Sequence, residues 1–155
     1  MKMEHHIAVS VPVAVGVWFT THNWYYVAMS LFLGFLVDVD HVIDYIREEG
    51  TFNMKGLFKK SYLGDFHHFY VIFHAYEYIL IAWIVGFFTH NYTFSIVFTV
   101  AYLSHMLPDQ LMNNTKTFGY FMTYRIYKKF VMTEFFYNKG QKLKKIKTKT
   151  SREKK

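Results

Sequence analysis

The sequence predicts an all-α protein: a four-helix transmembrane bundle followed by an interfacial amphipathic helix and a basic C-terminal tail. Three observations carry this prediction. Hydrophobic residues make up 52% and aromatic residues 21% of the 155 residues, which is enough apolar surface for one domain. These residues are gathered into four runs, so the mean hydropathy of +0.06 understates how apolar the runs are. The Lys and Arg residues behind the net charge of +7 avoid two of the turns and collect in one long loop and after the last run, as expected when one side of a bilayer faces the cytoplasm.

The runs extend, in order, from Ile7 to Thr20, Trp24 to Val37, Phe69 to Phe88 and Thr93 to Leu107. A bilayer core takes about 20 apolar residues, so only the third is full length, and the others require local thinning. Buried helices of a soluble all-α bundle are the other reading of the same runs. Trp18, Trp24, Tyr25, Tyr26, Trp83 and Tyr92 suit an interfacial belt, and few charges interrupt the runs. Glu4, His5 and His6 precede the first run and no small-x-small site ends it, so no cleavable signal peptide is expected and the first helix is retained.

Orientation follows from the loops. The turns Thr20 to Asn23 and Thr89 to Tyr92 contain no Lys or Arg, whereas the segment between the second and third runs carries Arg47, Lys55, Lys59 and Lys60. Both termini and the long loop are therefore expected in the cytoplasm. The stretch 118–137 mixes aromatic residues with Arg125, Lys128 and Lys129 and is expected to lie along the membrane surface as one helix. The domain boundary is placed there: 1–137 as the membrane-embedded helical domain, and 138–155 as a disordered cationic tail that binds anionic headgroups. Nucleic acid would bind the same charges, but no recognition module accompanies them.

This topology brings the ionisable residues to one side. The first run starts at His5 and His6, the second ends at Asp38, Asp40 and His41, the third starts after Asp65, His67 and His68 with His74 deeper, and the fourth ends at His105 and Asp109. Seven of the nine histidines thus fall at the cytoplasmic ends, and His22 and His90 occupy the opposite turns. His105 and Asp109 are i, i+4 and share a helix face, as Asp38 and His41 do at i, i+3. His67 and His74, two turns apart, are separated by roughly 10 Å of helical rise and would serve neighbouring ions rather than one. The chain has no cysteine, so a metal must be held by nitrogen and oxygen. Each cluster alone reads equally as a helix cap or an interfacial group. Four clusters converging on one side, where ionisable groups are costly, point to a metal site.

In order and residue type the chain resembles the small integral-membrane metal-dependent hydrolases, the LexA-binding inner-membrane-associated type among them. The resemblance rests on His5 or His6 before the first run, Asp38-x-Asp40-His41 after the second, His67, His68 and His74 at the third, and His105-x-x-x-Asp109 ending the fourth, and it covers about residues 4–120. Two departures stand out. Val37 replaces the usual Pro, and the third motif lacks Arg-Gly and separates His68 from His74 by six positions rather than five. The His and Asp order is similar, more distantly, to that of zinc-dependent phospholipases C and single-strand nucleases.

The resemblance implies an inner-membrane enzyme with two or three divalent ions, zinc first and manganese or iron next, that hydrolyses a phosphoester at the cytoplasmic face. The candidate ligands are Asp38, His41, His105 and Asp109, then His74, then one of His5 and His6 and one of His67 and His68. Asp40 is a ligand or the general base, and Glu77 orients a ligand. A site at headgroup level beside a cationic tail points to a lipid or lipid-linked substrate. A di-iron oxidase would need His-x-x-x-His or His-x-x-His-His spacing, and neither occurs. A non-catalytic membrane subunit or scaffold that keeps a structural metal is the remaining alternative.

Overall fold

The computed structural model describes residues 3–63, 66–68, 70–113 and 115–136. They form helices α1 (Met3–Thr21), α2 (Trp24–Phe35), α3 (Val39–Glu49), α4 (Met54–Leu63), α5 (Glu77–Phe88), α6 (Tyr92–Met112), α7 (Met122–Tyr127) and α8 (Met132–Phe135), with a single 3-10 turn, Leu36–Asp38, between α2 and α3. The all-α expectation holds: there is no strand among the described residues. The chain divides into two compact units, 1–40 with 72–113 and 41–71 with 114–155.

The first unit contains the four expected runs as α1, α2, α5 and α6, with α1 packed on α2 and α6, and α6 also on α2 and α5. Both tight turns use the same three residues, Thr-His-Asn. His22 and His90 take positive φ, 49° and 53°, which ends a helix with a left-handed residue. Asn23 and Asn91 then cap the next helix, their side-chain oxygens accepting from the amides of Tyr25 and Phe94. These two histidines are turn residues, as their position away from the others indicated.

Small residues let these helices approach closely. A Cβ on Gly34 would overlap Ser10 of α1, and one on Gly86 would overlap Ser95 of α6. Ser10, Ser30 and Ser95 are fully buried, while Phe19, Trp24, Leu80 and Phe88 are 70%, 70%, 64% and 76% exposed. Three serines are thus buried in this unit beside an apolar core of Ala14, Val17, Val27 and Val97, while several large apolar side chains face outward. Among the described residues no single helix is long and apolar enough to cross a membrane; α2 and α3 pass that test only together.

The third run is helical only from Glu77, so Tyr70 to Tyr76 form a non-helical strap. The cause lies in α3, whose Asp40, Asp44 and Glu48 follow one another at i, i+4 and i+8. In the first unit Asp40 accepts from the amide of Phe73. In the second unit Asp44 accepts from the amides of Tyr70 and Val71, and Glu48 from that of His67. Amide groups engaged by carboxylates do not donate to carbonyls four residues back, and helix cannot form there. The expected helical stripe joining His67, His74 and Glu77 is corrected accordingly: Glu77 opens α5, and His74 precedes it.

The second unit packs Tyr45, Leu57, Phe66, Val71, Met132 and Phe135 into one core. The single surface helix expected over 118–137 is replaced, within the described residues, by α7 and α8, separated by Lys129 and Phe130 at positive φ. Arg125 does not face a membrane surface. It is fully buried, and its Nη1 donates to the carbonyls of Tyr70 and Val71 at 2.6 and 2.7 Å. Asp65 and the tail at 138–155 lie outside the described residues.

Candidate metal centre

The site is assembled in the first unit from the start of α1, the end of α2, the strap and the end of α6. His6 reaches it from the first turns of α1, where Ser10 Oγ donates to its carbonyl at 2.6 Å. Asp38 comes from the 3-10 turn and His74 from the strap. His105 and Asp109 come from one face of α6, one turn apart. Pro108 lies within α6 and the helix continues to Met112, so the i, i+4 relation survives it, with His105 Nε2 3.8 Å from Asp109 Oδ2.

The donor atoms converge. His74 Nε2 is 3.3 Å from Asp38 Oδ1 and 3.7 Å from Asp109 Oδ2. His105 Nε2 is 3.6 Å from Asp38 Oδ1, and His6 Nε2 is 3.1 Å from Asp109 Oδ1 and 3.9 Å from Asp38 Oδ2. The rings of His6 and His105 stack with centroids 4.1 Å apart. His6, Asp38, His105 and Asp109 each offer an atom within 4.8 Å of the others. Ligand bonds of roughly 2.0–2.2 Å give donor–donor edges of about 2.9 Å at right angles and about 3.4 Å at tetrahedral angles. The observed separations are close to that range, so this buried group can hold a metal ion.

The imidazole tautomers strengthen the point. His105 Nδ1 lies 2.9 Å from the carbonyl of Gly34, which can only accept, so Nδ1 carries the hydrogen and Nε2 has the lone pair. His74 Nδ1 lies 2.9 Å from Asp40 Oδ2 and donates to that carboxylate. The two Nε2 atoms then face one another at 2.9 Å, so either a protonated His74 donates to the His105 lone pair or a cation lies between the rings. Asp38 and Asp109 add two negative charges to a site where His6, His74, His105 and Asp109 are 0–2% exposed and Asp38 is 14% exposed. A divalent cation could neutralise these charges beside the imidazoles that already neighbour them.

The structure therefore sorts the sequence candidates. His6, Asp38, His74, His105 and Asp109 come together. His5 is exposed, which leaves His6 as the member of that pair on the site. Asp40 is buried behind His74 and orients it, the carboxylate–histidine arrangement that commonly supports a metal ligand. His41, His67 and His68 belong to the second unit, with His67 and His68 exposed. Two participants were not foreseen: the Gly34 carbonyl, which fixes His105, and the Tyr102 hydroxyl, which holds the strap. Neither has a signal in residue spacing, since one is backbone and the other lies in a run of apolar residues.

In comparisons with protein-family models, with curated proteins and with solved structures, the chain matches none.

Proposed function

We propose that the protein is a membrane-bound, metal-dependent hydrolase of phosphoesters. The observation that carries the reading is the buried group of His6, Asp38, His105 and Asp109, with His74 Nε2 beside it, 2.9 Å from His105 Nε2 and 3.3 Å from Asp38 Oδ1, and with Asp38 as its partly exposed member. The donor set of nitrogen and oxygen without thiolate favours zinc, with manganese or iron as the next choices. When bound, such an ion supplies Lewis-acid polarisation of a phosphoryl oxygen and acidifies a water molecule.

The remaining work falls to this chain's own groups. His6, Asp38, His105 and Asp109 would hold the ion, and His74, its ring fixed by Asp40, would stand beside them. Asp38, at the open edge, is placed to bind the ion and to accept a proton from an incoming water. The His and Asp order, similar to that of membrane hydrolases and zinc phospholipases, supports phosphoester chemistry over other hydrolysis. In the proposed topology both termini and the site face the cytoplasm, and the resemblance to multi-metal hydrolases implies that one or two further ions would bind beside the first.

A bilayer accounts for the outward apolar faces of α1, α5 and α6, because apolar patches of this extent are seldom left in water. A lipid or lipid-linked phosphoester follows from that setting. A second reading, a scaffold with a structural metal, is favoured by the nearly complete burial of four of the five donors, since structural sites are closed and catalytic ones keep an open position.

The test is hydrolysis by detergent-purified protein, offered a phospholipid in mixed micelles and a soluble phosphodiester, with and without chelation. Chelator-sensitive cleavage of the lipid, absent in His105→Ala, supports the proposal. Bound metal with no cleavage of either substrate would favour the scaffold.

A further inference from the structure

We propose that Tyr102 is a positioning residue for the metal centre: its hydroxyl locks the strap on both sides of His74 and so sets where that imidazole points. The inference rests on the metal reading above. His74 has no helix to fix it, because the chain from Tyr70 to Tyr76 is non-helical. The Tyr102 hydroxyl, from α6, donates to the carbonyl of Phe73 at 2.6 Å and accepts from the amide of Ala75 at 2.7 Å. These are the residues immediately before and after His74. One hydroxyl therefore pins both flanking peptide groups, while Asp40 holds the amide of Phe73 and the Nδ1 of His74.

The anchor itself is rigid. Tyr102 is 1% exposed, and its ring stacks on Phe98 and meets Tyr78 edge-on, with centroids 5.5 and 6.4 Å away. It stands three residues before His105 on α6, so the same helix that supplies His105 and Asp109 also dictates the backbone around His74. The Nε2 to Nε2 separation of 2.9 Å between His74 and His105 depends on this cross-link. Supporting groups behind metal ligands commonly carry about 10- to 100-fold in metal affinity.

The experiment measures cobalt and zinc affinity of wild type, Tyr102→Phe, His74→Ala and the double variant, all full-length in detergent, with the cobalt absorption spectrum as a report on geometry. The phenylalanine keeps the ring packing. The expected result is a loss of about tenfold in affinity and an altered cobalt spectrum for Y102F, with no further loss when Y102F is added to H74A. Unchanged affinity and spectrum in Y102F would overturn the inference while leaving the metal site standing. An equal loss in both backgrounds would also overturn it, because Tyr102 would then act through the fold at large. Failure of the wild type to bind either ion would overturn the metal reading and this inference with it. In the wild type alone, zinc should slow amide exchange of the peptide containing Ala75; exchange that ignores zinc would contradict the proposal even if Y102F failed to fold.

Discussion

His74 Nε2 and His105 Nε2 face each other at 2.9 Å with both Nδ1 hydrogens already committed, one to Asp40 and the other to the Gly34 carbonyl. Two imidazole lone pairs this close repel unless something positive lies between them. A proton would satisfy one line of contact. A divalent ion also satisfies Asp38 and Asp109, so the pair reads as two ligands in adjacent positions around a metal.

Asp40 should matter through His74 rather than by touching the ion. Asp40→Asn keeps the shape but loses the charge that holds the Nδ1 hydrogen. The expected outcome is a drop of about 10-fold or more in zinc affinity with the helical circular dichroism retained. Isothermal titration checks it, and an unchanged affinity would remove Asp40 from the supporting role.

Gly34 joins packing to chemistry. A Cβ there would overlap Ser10 Oγ and Cβ, and the Gly34 carbonyl receives the hydrogen of His105 Nδ1. Gly34→Ala should therefore destabilise the protein by about 1–3 kcal/mol through overpacking and weaken zinc binding by separating His6 from His105. Ser10→Gly in the same chain should recover part of both losses. Thermal melts and metal titrations of the single and double variants decide this.

Metal affinity should depend on pH with a definite sign. A protonated imidazole has no lone pair to give, so protons compete with the ion at each histidine ligand. Affinity is expected to fall steadily as pH is lowered from about 8 to about 5, and zinc release should be accompanied by proton uptake. Equilibrium dialysis across that range gives the slope, and a flat profile would contradict imidazole ligation.

Arg125 carries a prediction for the second unit. Its buried guanidinium donates to two successive carbonyls, those of Tyr70 and Val71, and Asp44 accepts from the amides of the same two residues. Arg125→Lys keeps the charge but replaces the planar guanidinium, whose Nη1 makes both bonds, with a compact ammonium on a shorter reach. A loss of about 1.5–3 kcal/mol is expected from the weakened charged hydrogen bonding, measured by denaturant unfolding. A loss within about 0.5 kcal/mol, the usual range for surface positions, would show that the guanidinium is dispensable.

The apolar runs revealed the helices well, because burial and apolar surroundings both select continuous hydrophobic stretches. The boundaries of α1, α2 and α6 fall close to those read from sequence, and the paired Thr-His-Asn turns are visible as polar breaks. The strap was not legible. Phe69 to Tyr76 is aromatic and apolar enough to pass as helix, and only the carboxylates of Asp40, Asp44 and Glu48, spaced to meet its amides, override that tendency. The site was partly legible: His105 and Asp109 follow from helical spacing, and the pair His5 and His6 from its place at the start of the first apolar run, with burial then selecting His6. His74 reaches the group by a route that spacing on a helix could not describe. Arg125 was misread because a cation between aromatic residues suits a membrane surface as well as a buried carbonyl pair.

Whether these side chains hold a metal is decided by elemental analysis of protein purified in detergent without chelator. At least one equivalent of a divalent ion, zinc foremost, is expected in the wild type, and its loss in the His105→Ala, Asp109→Ala double variant. A wild type that carries no divalent metal and takes none up, or a double variant that retains its full complement, would contradict the metal reading.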